Sequence, residues 1–310
     1  MKIVTVTLCP AIDVHAECDS LLPYRENLLT LKSRDCGGKG INLSRALSNY
    51  GIENTALVLL PRNDANFFED GLKTDRLNYI PCYTDGNIRQ NITVHTYEEN
   101  ERKETRFSFK GEAIPEDTLL NTISVIEKIT EDNSVLAFCG SLPEGVLPCA
   151  LFNLFDKLTA RGVKIILDSK SFSLEDIKRI KPFLIKPNSE ECNKYIGIEP
   201  KNAKDAKGAA EKLAKATGAN ILLSLGEIGA VLHVDGNTYA ANAPSISSLS
   251  TIGAGDSMLA GFITGLNASL TYPECLRYSV AFGSAKCLKN GTEPPTKSDV
   301  DSLITKINIT

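Results

Sequence analysis

Ser250-Thr251-Ile252-Gly253-Ala254-Gly255-Asp256-Ser257 is the stretch from which the rest of the chain can be organised. Two glycines flank an alanine, an aspartate follows, and Met258-Leu259-Ala260-Gly261-Phe262-Ile263 begins an apolar helical pattern. Glycines let a backbone turn tightly and bring its N–H groups close to a ligand. The first N–H groups of the following helix have no intrahelical partner, and the positive end of the dipole lies behind them. Such a turn receives an anion, typically phosphate. Asp256 is out of place in a pure anion site, because a carboxylate repels phosphate unless its task is to take a proton from an attacking hydroxyl. The structural alternative is that Asp256 merely caps the helix.

Working outward, the chain alternates strand and helix. Buried-strand patterns lie at 2–8, 55–60, 134–139, 163–167, 183–185 and 221–224. Helical patterns lie at 43–50, 67–73, 115–129, 149–160 and 203–217, a hairpin at 230–240, and a mostly helical tail follows. Alternation of this kind implies a parallel sheet with right-handed crossovers. Two segments depart from it. Residues 12–16 and 28–31 are short apolar runs, and 87–109 has period two around the polar turn Glu98-Glu99-Asn100-Glu101-Arg102. These predict a small antiparallel β-sheet inserted twice (12–33 and 87–109) into a main body formed by 1–11, 34–86 and 110–310.

The totals agree with an ordinary soluble globular protein. Of 310 residues, 42% are hydrophobic and 23% charged, and the net charge of −4 leaves no basic footprint for nucleic acid. No apolar stretch approaches the roughly 20 residues that span a bilayer, and the N-terminus lacks a signal-peptide pattern. Nine singly placed cysteines without a C-x-x-C read as reduced thiols in the cytoplasm. There is no Walker A sequence, no G-x-G-x-x-G after the first strand and no G-x-S-x-G elbow. What remains is an anion-binding turn with a potential base and a second glycine-rich loop, Gly37-Gly38-Lys39-Gly40, opening a helix. Asn188-Ser189-Glu190-Glu191 could hold Mg2+ through waters. That set fits phosphoryl transfer.

These residues carry a resemblance. Gly37-Gly38-Lys39-Gly40-Ile41-Asn42 and Thr251-Ile252-Gly253-Ala254-Gly255-Asp256-Ser257 resemble the two signatures of the ribokinase-like (PfkB) carbohydrate kinases. Thr7-Leu8-Cys9-Pro10-Ala11-Ile12-Asp13, Gly140-Ser141-Leu142-Pro143, Lys186-Pro187-Asn188-x-x-Glu191 and Ser224-Leu225-Gly226-x-x-Gly229 follow the family's order. The resemblance implies a ribokinase-like α/β fold, a doubly wound, mostly parallel sheet flanked by helices with a small β-sheet lid, the lid being the two inserted segments. The resemblance implies that Asp256 is the base, and that the Gly253-Ala254-Gly255 turn, through the N–H groups of Ala254, Gly255 and Asp256, stabilises the transferring phosphoryl. It implies that Asp13, Gly38 and Asn42, with Lys39 and Ser141, hold the sugar. Lys186, Ser224, Gly226, Glu227, Gly229, Gly283, Ser284 and Asn290 would bind ATP, and Asn188 and Glu191 would order Mg2+, K+ being a further option. For Asn188 and Glu191 the structural alternative is a helix cap with its first turn, and for Gly283, Ser284 and Asn290 it is helix packing.

Arg89 on the lid hairpin resembles the arginine that grips the phosphate of an already phosphorylated sugar, a task suited to its planar fork. Asn27 stands where 6-phosphofructokinases of the family carry lysine. Cys9 departs from the asparagine usual in this branch. The resemblance is therefore to the 1-phosphofructokinase and tagatose-6-phosphate kinase branch. The expected acceptor is fructose 1-phosphate, with tagatose 6-phosphate and fructose 6-phosphate as alternatives, and a homodimer formed through the lid. A phosphosugar and nucleotide sensor without turnover is the remote alternative, which an intact Asp256 opposes.

Overall fold

The structure, a computed structural model, describes residues 1–98 and 101–310, the side chains at 98, 101 and 102 excepted. The centre of the turn read at 98–102 lies outside the described residues. In chain order the elements are β1 (Ile3–Thr7), β2 (Ala11–Glu17), β3 (Thr30–Gly37), α1 (Lys39–Tyr50), β4 (Thr55–Pro61), α2 (Ala65–Thr74), β5 (Tyr79–Thr84), β6 (Arg89–Glu98), β7 (Glu101–Ser108), α3 (Glu116–Ile129), β8 (Val135–Cys139), α4 (Phe152–Ala160), β9 (Lys164–Asp168), α5 (Leu174–Ile180), β10 (Leu184–Ile185), α6 (Ser189–Ile196), α7 (Ala203–Thr217), β11 (Asn220–Ser224), β12 (Gly229–Val234), β13 (Asn237–Asn242), α8 (Ala254–Asn267), α9 (Tyr272–Cys287) and α10 (Lys297–Ile304).

The large sheet has the order β13-β12-β11-β10-β9-β8-β1-β4-β5. Its strands pair in parallel from β5 to β11, and the β12–β13 hairpin closes one edge antiparallel. Parallel strands are covered on both faces, so they read as continuous apolar runs. Their alternate residues serve two separate cores. Val4, Val6, Leu136 and Phe138 join Leu154, Phe155 and Leu213 on one side, while Ile3, Val135 and Ala137 join Leu43, Leu259, Phe262 and Phe282 on the other. On that second side α8 and α9 approach closely. A Cβ on Gly261 would lie 2.4 Å from the Tyr278 carbonyl oxygen, so only glycine fits the crossing.

The lid is a four-stranded sheet, order β3-β2-β6-β7. It differs from the antiparallel sheet expected, because β2 runs parallel to β6 with Asp13 opposite Asn91. A parallel pair needs a long crossover, and the whole of 18–88 supplies it. The third strand begins at Thr30, beyond Leu28 and Leu29, and continues to Gly37. A division at 33/34 therefore falls inside β3, and the glycine-rich stretch read as a loop starts as strand. A Cβ on Gly37 would lie 2.0 Å from Asp13 Oδ2, which explains glycine at the end of a strand.

The sequence pattern missed three elements, one of them α6, whose eight residues start at the Asn188–Glu191 capping box; the other two are β5 and α5. β5 carries Pro81 and is mostly half-buried, as an edge strand can be. α5 has only seven residues and is held by a reciprocal Ser173–Asp176 capping box rather than by a long amphipathic face.

Candidate active site

The functional side chains gather at the carboxyl ends of the parallel strands, where open α/β sheets place their ligands. α8 starts at Gly253, whose φ of 78° is in the left-handed region and whose side-chain-free turn makes no capping bond. Asp256 therefore does not cap the helix. It lies in the first turn, buried, and its Oδ2 accepts a 2.9 Å hydrogen bond from Asn42 Nδ2 of α1. Burial raises its carboxyl to about 6, partly opposed by the Lys39 ammonium. Of the three N–H groups expected to face an anion, that of Ala254 donates to the Thr251 carbonyl at 3.1 Å. The N–H groups of Gly255 and Asp256 have no such partner among the described residues.

Beside this turn stands a charge cluster that the motifs did not single out. Asp168, at the end of β9 and 2% exposed, is paired with Lys39 Nζ at 2.6 Å and Lys186 Nζ at 3.3 Å. Burial alone would raise the Asp168 carboxyl, but the two ammonium groups outweigh it and hold it below the usual aspartate value. For Lys39 burial works downward, and Asp168 and Asp256 overcome it, so the lysine is held firmly charged. Lys186 Nζ lies 3.1 Å from the point a Cβ on Gly255 would occupy, so its ammonium faces the anion hole. The Gly140 N–H donates to the Asp168 carbonyl at 2.9 Å and brings the exposed Ser141 beside the cluster.

The lid supplies the opposite wall. Asp13 Oδ1 accepts from Asn91 Nδ2 at 2.7 Å, Asn91 Oδ1 accepts from Arg89 Nη1 at 3.0 Å, and Arg106 Nη2 lies 3.6 Å from Asp13 Oδ1. Asn91 and Arg106 were missed. The signal was present in the period-two pattern, which puts both on paired lid strands. Gly38, with φ 135°, turns the chain against Thr7 before α1. Asn27 holds its own loop through Leu22 and the Arg25 carbonyl.

On the third side, Ser224 is tied to the Pro187 carbonyl at 3.0 Å through its N–H, which joins the 224–229 and 186–191 loops. Gly226 and Glu227 are exposed. Gly229 has a structural reason to be glycine, since a Cβ would meet the Ala241 carbonyl oxygen at 2.0 Å. Gly283 packs on α8, where a Cβ would lie 3.3 Å from the Ala254 carbonyl oxygen. Ser284 is buried on the same helix and Asn290 is exposed beyond it. Asn188 and Glu191 form a reciprocal capping box for α6, with bonds of 2.8 and 3.1 Å.

A buried carboxylate at a helix start, two N–H groups and two flanking ammonium groups form an arrangement suited to phosphoryl transfer. The family model of the pfkB family carbohydrate kinases matches residues 2–299. The chain belongs to the pfkB family of carbohydrate kinases. It is similar to the 1-phosphofructokinase of Haemophilus influenzae, 28% identical over 311 residues, which span 100% of this chain and 98% of the relative. It is also 28% identical to the tagatose-6-phosphate kinase of Staphylococcus epidermidis over 310 residues, 99% of each chain. The crystal structure of Escherichia coli phosphofructokinase-2 in complex with substrates and products superposes with a TM-score of 0.89 at 28% identity, over 99% of both chains. That enzyme has also been crystallised in complex with potassium. For a kinase of this family the donor set at 188–191 suits Mg2+. The two side chains offer hard carboxylate and amide oxygens, and Glu191 Oε1 is not used by the capping box. No helix among the described residues is long and apolar enough to cross a membrane.

Proposed function

We propose that this kinase transfers the γ-phosphoryl of ATP to the 6-hydroxyl of fructose 1-phosphate, giving fructose 1,6-bisphosphate and ADP. Asp256 takes the hydroxyl proton as the sugar oxygen bonds to phosphorus and the bond from phosphorus to the ADP oxygen breaks. The Gly255 and Asp256 N–H groups and the Lys186 ammonium stabilise the charge that develops on the phosphoryl oxygens. Asn42 fixes the Asp256 carboxylate, and Asp13 and Asn91 orient the sugar. Ser224 and the open Gly226 turn line the nucleotide side. Mg2+, held through Asn188 and Glu191, would neutralise phosphate charge. The free state of all nine cysteines suits a reducing cytoplasm.

The observation that carries a phosphorylated acceptor is Arg89, which by charge alone does not separate fructose 1-phosphate from tagatose 6-phosphate or fructose 6-phosphate. Its Nε is buried without a hydrogen-bond partner, while Nη1 is held by Asn91. An unmet guanidinium donor at the sugar wall calls for an anion that the substrate brings. Arg89→Ala is therefore expected to raise KM for the phosphosugar about tenfold or more, as loss of a charge-assisted bond of roughly 1.5–3 kcal/mol implies, with a smaller fall in kcat and unchanged ATP binding. A panel comparing kcat/KM for fructose 1-phosphate, fructose 6-phosphate and tagatose 6-phosphate tests the acceptor. A higher value for either 6-phosphate would overturn the assignment and leave the kinase standing.

The lid also suits self-association. Leu28 is 83% exposed, and Leu22, Tyr24, Leu29, Leu31, Tyr97, Phe107 and Phe109 are exposed on the same small sheet and its loop. Apolar surface concentrated in this way marks an interface. Sedimentation should show a dimer for the parent and a monomer for Leu28→Glu combined with Leu31→Glu. A parent that stays monomeric at high concentration would refute it.

A further inference from the structure

One side chain beside the anion hole has no place in the mechanism above. Lys286 of α9 is 1% exposed, and its Nζ is buried with no hydrogen-bond partner among the described residues. It lies one helical turn beyond Gly283, the residue through which α9 touches the start of α8. Its Cε is 3.6 Å from the point a Cβ on Gly253 would take, and Asp256 Oδ2 is 3.9 Å from that same point. The ammonium end of the chain is thus separated from the anion hole by little more than the Gly253 backbone. Any side chain at 253 would fill that gap, quite apart from the positive φ the turn demands.

A buried ammonium without a partner is unfavourable in the empty protein. Burial lowers its proton affinity, while Cys287, Glu293 and Asp256 favour the charge and Lys289 opposes it. Its nearest unmet need is for negative charge on the far side of Gly253, and a phosphoryl group arriving at the Gly255 and Asp256 N–H groups is such a charge. Inside protein the attraction is weakly screened and acts without direct contact.

We propose that Lys286 is a positioning residue of the phosphoryl-transfer site, a resident monovalent cation that acts through the Gly253 turn on both the transferring phosphoryl and Asp256. This rests on the kinase reading above. It supplies a fixed positive charge behind this turn and acts without touching the substrate.

The test uses the full chain with ATP, Mg2+ and the best acceptor of the panel. Lys286→Met keeps the length and removes the charge. Its kcat should fall by about tenfold or more, while its Tm without ligand stays equal to the parent's or rises, because an unpaired buried charge has been removed. The pH profile gives a second readout. A nearby positive charge favours ionised Asp256, so its loss raises the Asp256 pKa and moves the acid limb of kcat to higher pH. Lys286→Ala leaves a hole that potassium or methylammonium can enter, and either ion should restore activity to the variant and do little for the parent. A Lys286→Met protein with parental kcat and an unmoved acid limb would overturn the proposal, as would a loss of kcat matched by a fall in Tm and no rescue of Lys286→Ala. If Lys286→Met does not fold, Lys286→Gln carries the same readouts. A parent inactive on every sugar of the panel would instead defeat the kinase reading.

Discussion

Asp256→Asn is expected to lower kcat by roughly 10²–10⁴, the usual cost of losing a general base, and to leave the fold intact. The side chain caps nothing, since α8 begins at Gly253 without a capping bond. Asparagine keeps the shape and can still accept the hydrogen bond from Asn42, so the neighbours need not move. Stability should respond in the direction set by the raised carboxyl. A folded-state pKa of about 6 means that the proton is held more tightly in the native protein than in the unfolded chain. The resulting stabilisation is present in acid and lost as pH rises through about 6. At pH 8 the charged, buried Asp256 opposes folding, so Asp256→Asn should match or exceed the parent's Tm there. Activity runs the other way: the base must be ionised, and parental kcat should decline as pH falls through the same region, an acid limb the variant lacks. Steady-state rates across pH with thermal melts at pH 8 check both. A variant retaining half its kcat would show that Asp256 is not the base.

The sequence showed the parts whose chemistry is local. The Gly253-Ala254-Gly255-Asp256 turn sits just before an apolar helix, and the strand-and-helix alternation around it suffices to place it at a strand-end cleft. Asn188 and Glu191 are likewise three apart, and the structure shows why that spacing is ambiguous: the same pair closes a capping box through Glu191 Oε2 and leaves Oε1 facing Lys170 Nζ at 3.7 Å. What the sequence hid depends on contacts between distant segments. Asp168 is one aspartate at the end of one strand, and nothing near it in the chain says that Lys39 and Lys186 converge on it. Lys286 reads as an ordinary helix lysine until α9 is packed on α8. Nor could the parallel pairing of β2 with β6 be read from period two, which is common to both kinds of sheet.

Asp168→Asn should be the most destabilising single change at the site. Its carboxylate lies between two ammonium groups, with Lys186 nearly as buried as itself and the Lys39 side chain 33% exposed. Breaking a buried ion cluster by removing one member leaves uncompensated charge, at a cost of about 3–5 kcal/mol. Solvent reaching Lys39 places this case near the lower figure. Tm should therefore drop by several degrees at pH 7. The pH dependence has a fixed sign. Asp168 is held below its ordinary value, so it stabilises the fold at all pH above the carboxylate range and ceases to do so only as pH falls through its depressed pKa. The gap in Tm between parent and variant should be full at neutral pH and close in acid. The activity profile should move as well. Asp168 is one of the charges that raise the Asp256 pKa, so removing it favours ionised Asp256 and shifts the acid limb of kcat to lower pH, opposite to the shift expected for Lys286→Met. Rate at the optimum should still fall, because Lys186 and Lys39 lose the anchor that aims them at the phosphoryl and the sugar. Thermal melts from pH 4 to 8, with kcat measured over the same range, decide it. A Tm within a degree of the parent's at pH 7 would mean that the two lysines do not depend on Asp168, and the charge cluster would lose its place in the site.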